Sequence, residues 1–245
     1  MATKFIMVGA KGRMGQAILS LARSGSEYQA VAEIDKEDSL SEHISKTDAV
    51  IEFSHHSVTS MMVEICMRHQ KPLIIGTTGH SPTALKIIQD CAKTIPVVLA
   101  PNFSIGVNLL FYLTRKAAEI LGEEYDQEVV EMHHRHKLDA PSGTGKRLAE
   151  ILADVKKKQL DEIAKHGRVG IVGERTSHEI GVHALRGGDV VGDHTVYFAT
   201  MGERIELTHR ASSRDTFAAG ALRAAHWVLT QKPGIYSMQD VLGLN

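Results

Sequence analysis

Lys4-Phe5-Ile6-Met7-Val8-Gly9-Ala10-Lys11-Gly12-Arg13-Met14-Gly15 is the stretch that decides how the first half of this chain is read. An apolar, β-rich run, Lys4–Val8, enters a turn with glycines in the pattern G-x-x-G-x-x-G, and a helical period then runs from Arg13 to Arg23. In such a turn one glycine makes the tight bend, one lets the backbone approach a pyrophosphate, and one lets the helix pack on the strand. The N–H groups that open the helix favour the phosphates. The commoner fingerprint is G-x-G-x-x-G, but a strand before, a helix after and an acidic residue about 20 positions on are the context of a dinucleotide site. Gly9, Ala10, Lys11, Gly12, Arg13 and Met14 are the candidate pyrophosphate residues, with Arg13 able to add a charge.

Outward from this turn, short β-rich runs alternate with helical periods. The runs are Gln29–Ile34, Asp48–Phe53, Pro72–Gly76 and Pro96–Leu99; the helical stretches are Val58–His69 and Pro82–Ala92. Alternation of this kind predicts βαβ units and a parallel sheet, and the nearly continuous apolarity of the runs predicts strands covered on both faces. Asp35, after the second run, is placed to bond a ribose 2′-OH, with Glu33 as a competitor; Lys36 offers a cation for a 2′-phosphate. Both NADH and NADPH therefore stand as cofactors.

Beyond Pro101 the pattern changes. A long helix is predicted over Ile105–Leu121, opened by Ser104, then a strand over Asp126–His133 and a helix over Gly143–Lys158. Residues 159–177 read as a polar loop. Glu179–Leu185, His194–Thr200 and Arg204–Thr208 follow as successive strands, which predicts a mixed or antiparallel sheet. Asp215–Leu229 reads as a closing amphipathic helix. The expected fold is α/β: a Rossmann-type doubly wound parallel sheet built from 1–104 plus 215–245, with an α+β domain for substrate and oligomerisation, 105–214, inserted.

Net charge is −1, with 28 basic and 29 acidic residues, so bulk electrostatics call for neither a nucleic-acid nor a membrane partner. Two cysteines, Cys66 and Cys91, make no disulfide framework. No apolar run matches a secretory leader or a membrane span, which makes the cytoplasm the expected location.

The densest chemistry lies in Glu131-Met132-His133-His134-Arg135-His136-Lys137 and the following Asp139-Ala140-Pro141-Ser142-Gly143-Thr144. His133 and His134 should point to opposite sides of a strand end. The Ser142-Gly143-Thr144 turn before a helix suits a carboxylate, and Lys137 can pair with one or donate a proton. The histidine spacing is not that of a zinc site, so no metal is expected. Gly143-Thr144-Gly145-Lys146 fails as a phosphate loop, because Ala140 stands where the first glycine belongs and Arg147 where Ser or Thr belongs.

Glu131-x-His133-His134-x-x-Lys137-x-Asp139-Ala140-Pro141-Ser142-Gly143-Thr144 resembles the signature of the 4-hydroxy-tetrahydrodipicolinate (dihydrodipicolinate) reductases of the diaminopimelate route to lysine. Gly76-Thr77-Thr78-Gly79, Asn102-Phe103-Ser104, Arg186-Gly187-Gly188-Asp189 and Thr208-His209-Arg210-Ala211 are similar to further segments of that family. The resemblance implies reduction of a cyclic dicarboxylate by NADH or NADPH in a cytoplasmic homotetramer. It implies Gly76, Thr77 and Thr78 near the nicotinamide, with Ala100, Pro101, Asn102 and Phe103 completing the cofactor side. It implies His133 or Lys137 as the proton donor, and His134, Ser142, Gly143 and Thr144 as substrate-binding residues.

Overall fold

The computed structural model describes residues 2–244. They form two compact units, Met1–Ile105 with Arg214–Asn245, and Gly106–Ser213.

The first unit is a six-stranded parallel sheet. In chain order its elements are β1 (Thr3–Val8), α1 (Arg13–Arg23), β2 (Tyr28–Ile34), α2 (Leu40–His43), β3 (Ala49–Glu52), α3 (His56–Arg68), β4 (Leu73–Ile75), α4 (Pro82–Cys91) and β5 (Pro96–Leu99). The strand order is β11-β5-β4-β3-β1-β2, where β11 is Gly234–Tyr236, after the closing helix. Strand residues alternate between two cores. Phe5 and Met7 face helix residues Ile18, Leu19, Ala221 and Ala225. Ile6 and Val8 face Met62, Val63 and Ile88. This double burial is why the strands read as unbroken apolar runs. The order of winding reverses between β1 and β3, and ligands bind in such sheets at that switch point, beyond the carboxyl ends of the strands.

The second unit holds α5 (Ile105–Leu121), β6 (Asp126–His133), α6 (Gly143–Val155), α7 (Leu160–Ile163), β7 (Ala164–His166), β8 (Ile180–Arg186), β9 (Gly192–Thr200) and β10 (Glu203–Ala211). The sheet order is β10-β9-β6-β8-β7, with β9 antiparallel to its neighbours β10 and β6, and β6, β8 and β7 running parallel. Along β6 burial alternates strictly: Gln127, Val129, Glu131 and His133 are buried. Val129 packs in a core with Leu148 and Leu152 of α6 and Val107, Leu110 and Phe111 of α5.

The chain then returns to the first unit through α8 (Asp215–Trp227), β11 and α9 (Met238–Leu242). Among the described residues, no helix is long and apolar enough to cross a membrane.

The structure corrects the reading of 159–177 as a polar loop. Leu160 and Ile163 pack on the core, and β7 adds an edge strand beside β8. The remainder is tied to the sheet by charge: Arg168 meets Glu128 and Glu179 at 2.8 and 2.6 Å, and Arg175 meets Asp126 at 2.6 Å. Those partners are distant in sequence, so composition alone suggested solvent. The short elements α2, β11 and α9 were also beyond the reading, since three to five residues are too few to display a period.

Candidate active site

The glycine turn lies between β1 and α1, and two clefts open around it. One, of about 580 Å³, is lined by Gly9, Lys11, Gly12, Asp35, Lys36 and Asp38, together with Ser54 and His55. The other, of about 480 Å³, is lined by Gly12, Arg13, Met14, Gly76, Thr77 and Thr78, with Phe53, Ser54, His55 and His56. Gly12, Phe53, Ser54 and His55 belong to both, so the two form one groove across the switch point.

The glycines are used as the turn requires. Gly9 has φ +83°, and a Cβ there would collide with the Phe53 carbonyl. A Cβ on Gly15 would run into the Gly9 and Ala10 carbonyls, so α1 could not approach β1. Gly12 is the N-cap of α1. Gly76 has no room for a side chain because the Phe53 ring lies against it. A backbone cradle that a Cβ would fill, at the positive end of a helix, fits a dinucleotide pyrophosphate.

Asp35 is fixed. Its Oδ2 accepts from the Lys11 N–H at 3.0 Å and its Oδ1 from the Lys36 N–H at 3.0 Å. These two backbone donors hold the carboxyl below the usual carboxylate range. Glu33, its competitor, is engaged by Arg23.

Behind the groove Glu52 has no exposed surface. It accepts from the Ser54 N–H at 2.8 Å, from the Ser54 hydroxyl, and from the Thr77 hydroxyl at 2.6 Å. Thr77 thus turns its hydroxyl into the protein. Ala10, Ala100 and Phe103 are core residues, and Phe103 meets Phe53 at 5.2 Å between ring centroids. Ala100, Pro101, Asn102 and Phe103 line neither cleft; Phe103 reaches the groove only through Phe53.

In the second unit, sheet register assembles a polar cluster. His133 and Glu131 share the buried face of β6; Arg186 on β8 stands across from His133, and His194 on β9 across from Glu131. Glu131 has no exposed surface, and its carboxylate collects N–H donors. Arg186 grips it with two bonds of 2.9 Å, the Ser142 N–H donates at 3.0 Å, and His133 Nδ1 lies 2.6 Å away. Burial pushes the Glu131 pKa up, but Arg186, His133 and Ser142 outweigh it and leave it lowered. Burial pushes His133 down, against the opposing pull of Glu131.

The ring of His194 meets that of His133 edge-on at 5.2 Å. Burial, then the neighbouring His133, push its pKa down to about 3. Ser142 caps α6, its Oγ accepting from the Gly145 N–H at 3.1 Å and lying 3.2 Å from His194 Nε2. Gly143 and Thr144 therefore form the first turn at the positive end of α6. Lys137 pairs with Asp139 at 2.9 Å. His134 follows the strand, with its N–H donated to the Val190 carbonyl at 2.7 Å and its ring nitrogen Nδ1 buried.

His133, Lys137, Ser142, Gly143 and Thr144 thus lie on one strand end and the helix start beside it. Glu131, Arg186 and His194 join them without having been assigned a role from sequence. Period-2 alternation places Glu131 on the His133 side, but Arg186 and His194 arrive through strand pairing.

A dinucleotide groove on a doubly wound sheet, with a histidine–lysine cluster on a second mixed sheet, defines a pyridine-nucleotide-dependent oxidoreductase. Models of the N-terminal and C-terminal parts of dihydrodipicolinate reductase match residues 3–103 and 106–242. The chain belongs to the dihydrodipicolinate reductase family. It is 52% identical over 240 residues to the 4-hydroxy-tetrahydrodipicolinate reductase of Akkermansia muciniphila, covering 98% of each chain. It is 43% identical over 263 residues to that of Syntrophus aciditrophicus, again covering 98% of each. A dipicolinate-bound dihydrodipicolinate reductase from Paenisporosarcina sp. TG-14 shares the fold at a TM-score of 0.82 and 23% identity, covering 98% of this chain and 99% of that one.

Proposed function

We propose that this chain reduces 4-hydroxy-tetrahydrodipicolinate to tetrahydrodipicolinate in the diaminopimelate route to lysine. The observation that carries the reading is the buried Glu131–His133 pair beside Lys137 and the start of α6, in a chain whose relatives bear that name.

The dinucleotide lies on Gly9–Met14 and beside Gly76, Thr77 and Thr78. Bound there, the reduced nicotinamide supplies the hydride that goes to ring C4. NADH is favoured, because the pinned Asp35 carboxylate suits a ribose 2′-OH and repels a 2′-phosphate. The substrate carboxylates are held by Lys137, by His134 and by the first turn of α6 at Gly143 and Thr144. Ser142 acts as the cap that keeps this turn in place.

Glu131 accepts the Nδ1 proton of His133, which leaves Nε2 to face the reaction. His133 is neutral at rest because burial dominates. A dianionic substrate beside it favours the imidazolium, which then donates from Nε2. The family's homotetramer belongs to the same proposal, supported by the exposed Leu138, Val169, Ile171 and Leu185 of the second unit.

Absorbance at 340 nm tests the reading, with substrate generated by a synthase from pyruvate and aspartate semialdehyde and with NADH and NADPH in parallel. Synthase-dependent oxidation, faster with NADH, is expected; none with either cofactor overturns it. In the same assay His133→Ala should lower kcat by about 10²–10⁴. Lys137→Ala should raise KM and lower kcat together. A near-wild-type rate for His133→Ala removes His133 from the chemistry.

A further inference from the structure

The Arg186 guanidinium does more than neutralise a carboxylate. Nη1 and Nη2 each bond one oxygen of Glu131, and Nη2 also donates to the Asp139 carbonyl at 2.6 Å. Asp139 is the residue that pairs with Lys137. The other partners of Glu131 are His133 Nδ1 and the N–H of Ser142, the cap of α6. One ion pair therefore touches the histidine, the helix start and the loop behind the lysine. Space around it is already taken, since a Cβ on Gly145 would stand 3.1 Å from Glu131 Cγ.

We propose that Glu131 and Arg186 are positioning residues for the reduction. Together they fix His133 with its proton on Nδ1 and its Nε2 free to take and give a proton, and they hold the α6 start and the Lys137 loop in register with it.

This inference rests on the reading of His133 as the proton-transfer group. Glu131 is dedicated to this state because Arg186 keeps it an anion, and an anion can only accept. A histidine beside it must then present N–H at Nδ1. Second-layer carboxylates act on histidines in this way wherever a tautomer must be set. The charged and titratable groups facing His133 are Glu131 on its own strand, Arg186 on β8, His194 on β9 and Lys137 on the following loop. Glu131 favours the imidazolium; Lys137 and Arg186 disfavour it.

The two partners thus push His133 in opposite directions, and removing them should too. In the full-length enzyme, Glu131→Gln should move the basic limb of kcat/KM to lower pH by about one unit or more. Arg186→Met should move that limb to higher pH. Both should lower kcat by about 10–100-fold, with NADH binding, read by its fluorescence, unchanged. A purely structural pair would lower the melting temperature and leave the limb where it was, and that result overturns the proposal. Nitrogen-15 NMR of the wild-type histidines needs no variant: the Nδ1–H tautomer is expected for neutral His133, and the Nε2–H tautomer overturns the proposal outright. Should His133→Ala keep full activity while the wild type shows the Nδ1–H tautomer, the reading of His133 fails and the geometry of the pair stands.

Discussion

Glu52 and Glu131 are both fully buried near the carboxyl end of a central strand, one in each unit, and both tie together the loops that follow. Their partners differ. Glu52 meets the hydroxyls of Ser54, Thr77 and Thr59 and one backbone N–H. Glu131 meets a guanidinium, a backbone N–H and a histidine. A hydroxyl can donate or accept, whereas a guanidinium only donates. The first carboxylate is one member of an adaptable hydrogen-bond net beneath the nucleotide groove. The second is locked as an anion by Arg186, beside the histidine proposed to gain and lose a proton. On the proposed function, the unit that would hold a cofactor by its backbone needs an anchor, and the unit that would move a proton needs a fixed charge.

Truncation should separate the two most strongly. Glu131→Ala leaves Arg186 without its counter-charge in a largely buried setting, a change that costs about 3–5 kcal/mol where the surviving charge is fully buried. Arg186 keeps some solvent access, so the lower end is expected. Glu52→Ala leaves neutral donors unsatisfied and should cost about 1–3 kcal/mol. Urea denaturation monitored by circular dichroism gives both numbers. Equal losses would mean that the ion pair is no more than another hydrogen-bonded acceptor.

What the sequence disclosed follows the same division. The glycine turn is contiguous backbone, so Gly9–Gly15, with Asp35 about 20 positions on, could be read from local spacing, whereas Gly76–Thr78 were marked only by the family resemblance. The histidine cluster was half legible. His133, Lys137 and Ser142–Thr144 lie within one short segment, but Arg186 and His194 reach Glu131 only through strand register, which one sequence does not display. Phe53, Ser54 and His55 were missed because they follow a strand with no glycine or charge to mark them. They line the groove because β3 ends at the switch point. Arg168 and Arg175 read as solvated for the same reason that hid Arg186.

Acid provides a second contrast. His194, beside the Glu131 cluster, has its pKa pushed down to about 3 by burial. An unfolded histidine titrates near 6.5, so between those values the unfolded chain holds one proton more. Stability must therefore fall as pH falls through this window, by at most about 1.4 kcal/mol per pH unit from this residue. In His194→Gln that component disappears. The variant's deficit at pH 7 should narrow steadily toward pH 4 in thermal melts. A deficit in His194→Gln that is constant with pH would show that His194 takes up its proton as readily in the folded chain as in the unfolded one.

The smallest effect is the most pointed. At position 52 a glutamine can accept from the Ser54 N–H and the Thr77 hydroxyl through its oxygen. Its NH₂ can donate to a hydroxyl that turns to receive it, because Ser54 and Thr59 lie on the same carboxylate. At position 131 the same NH₂ would face Arg186 and the Ser142 N–H, which only donate, and His133 Nδ1, which could receive it only by giving up the Nδ1–H tautomer. Glu52→Gln should therefore cost about 1 kcal/mol or less. It should change the NADH dissociation constant by no more than about fivefold, since a loss of 1 kcal/mol is a factor of about five. The basic limb of its kcat/KM profile should lie on that of the wild type. If that limb moves, Glu52 too communicates charge to the reaction, and the division between an anchoring and a proton-handling carboxylate no longer holds.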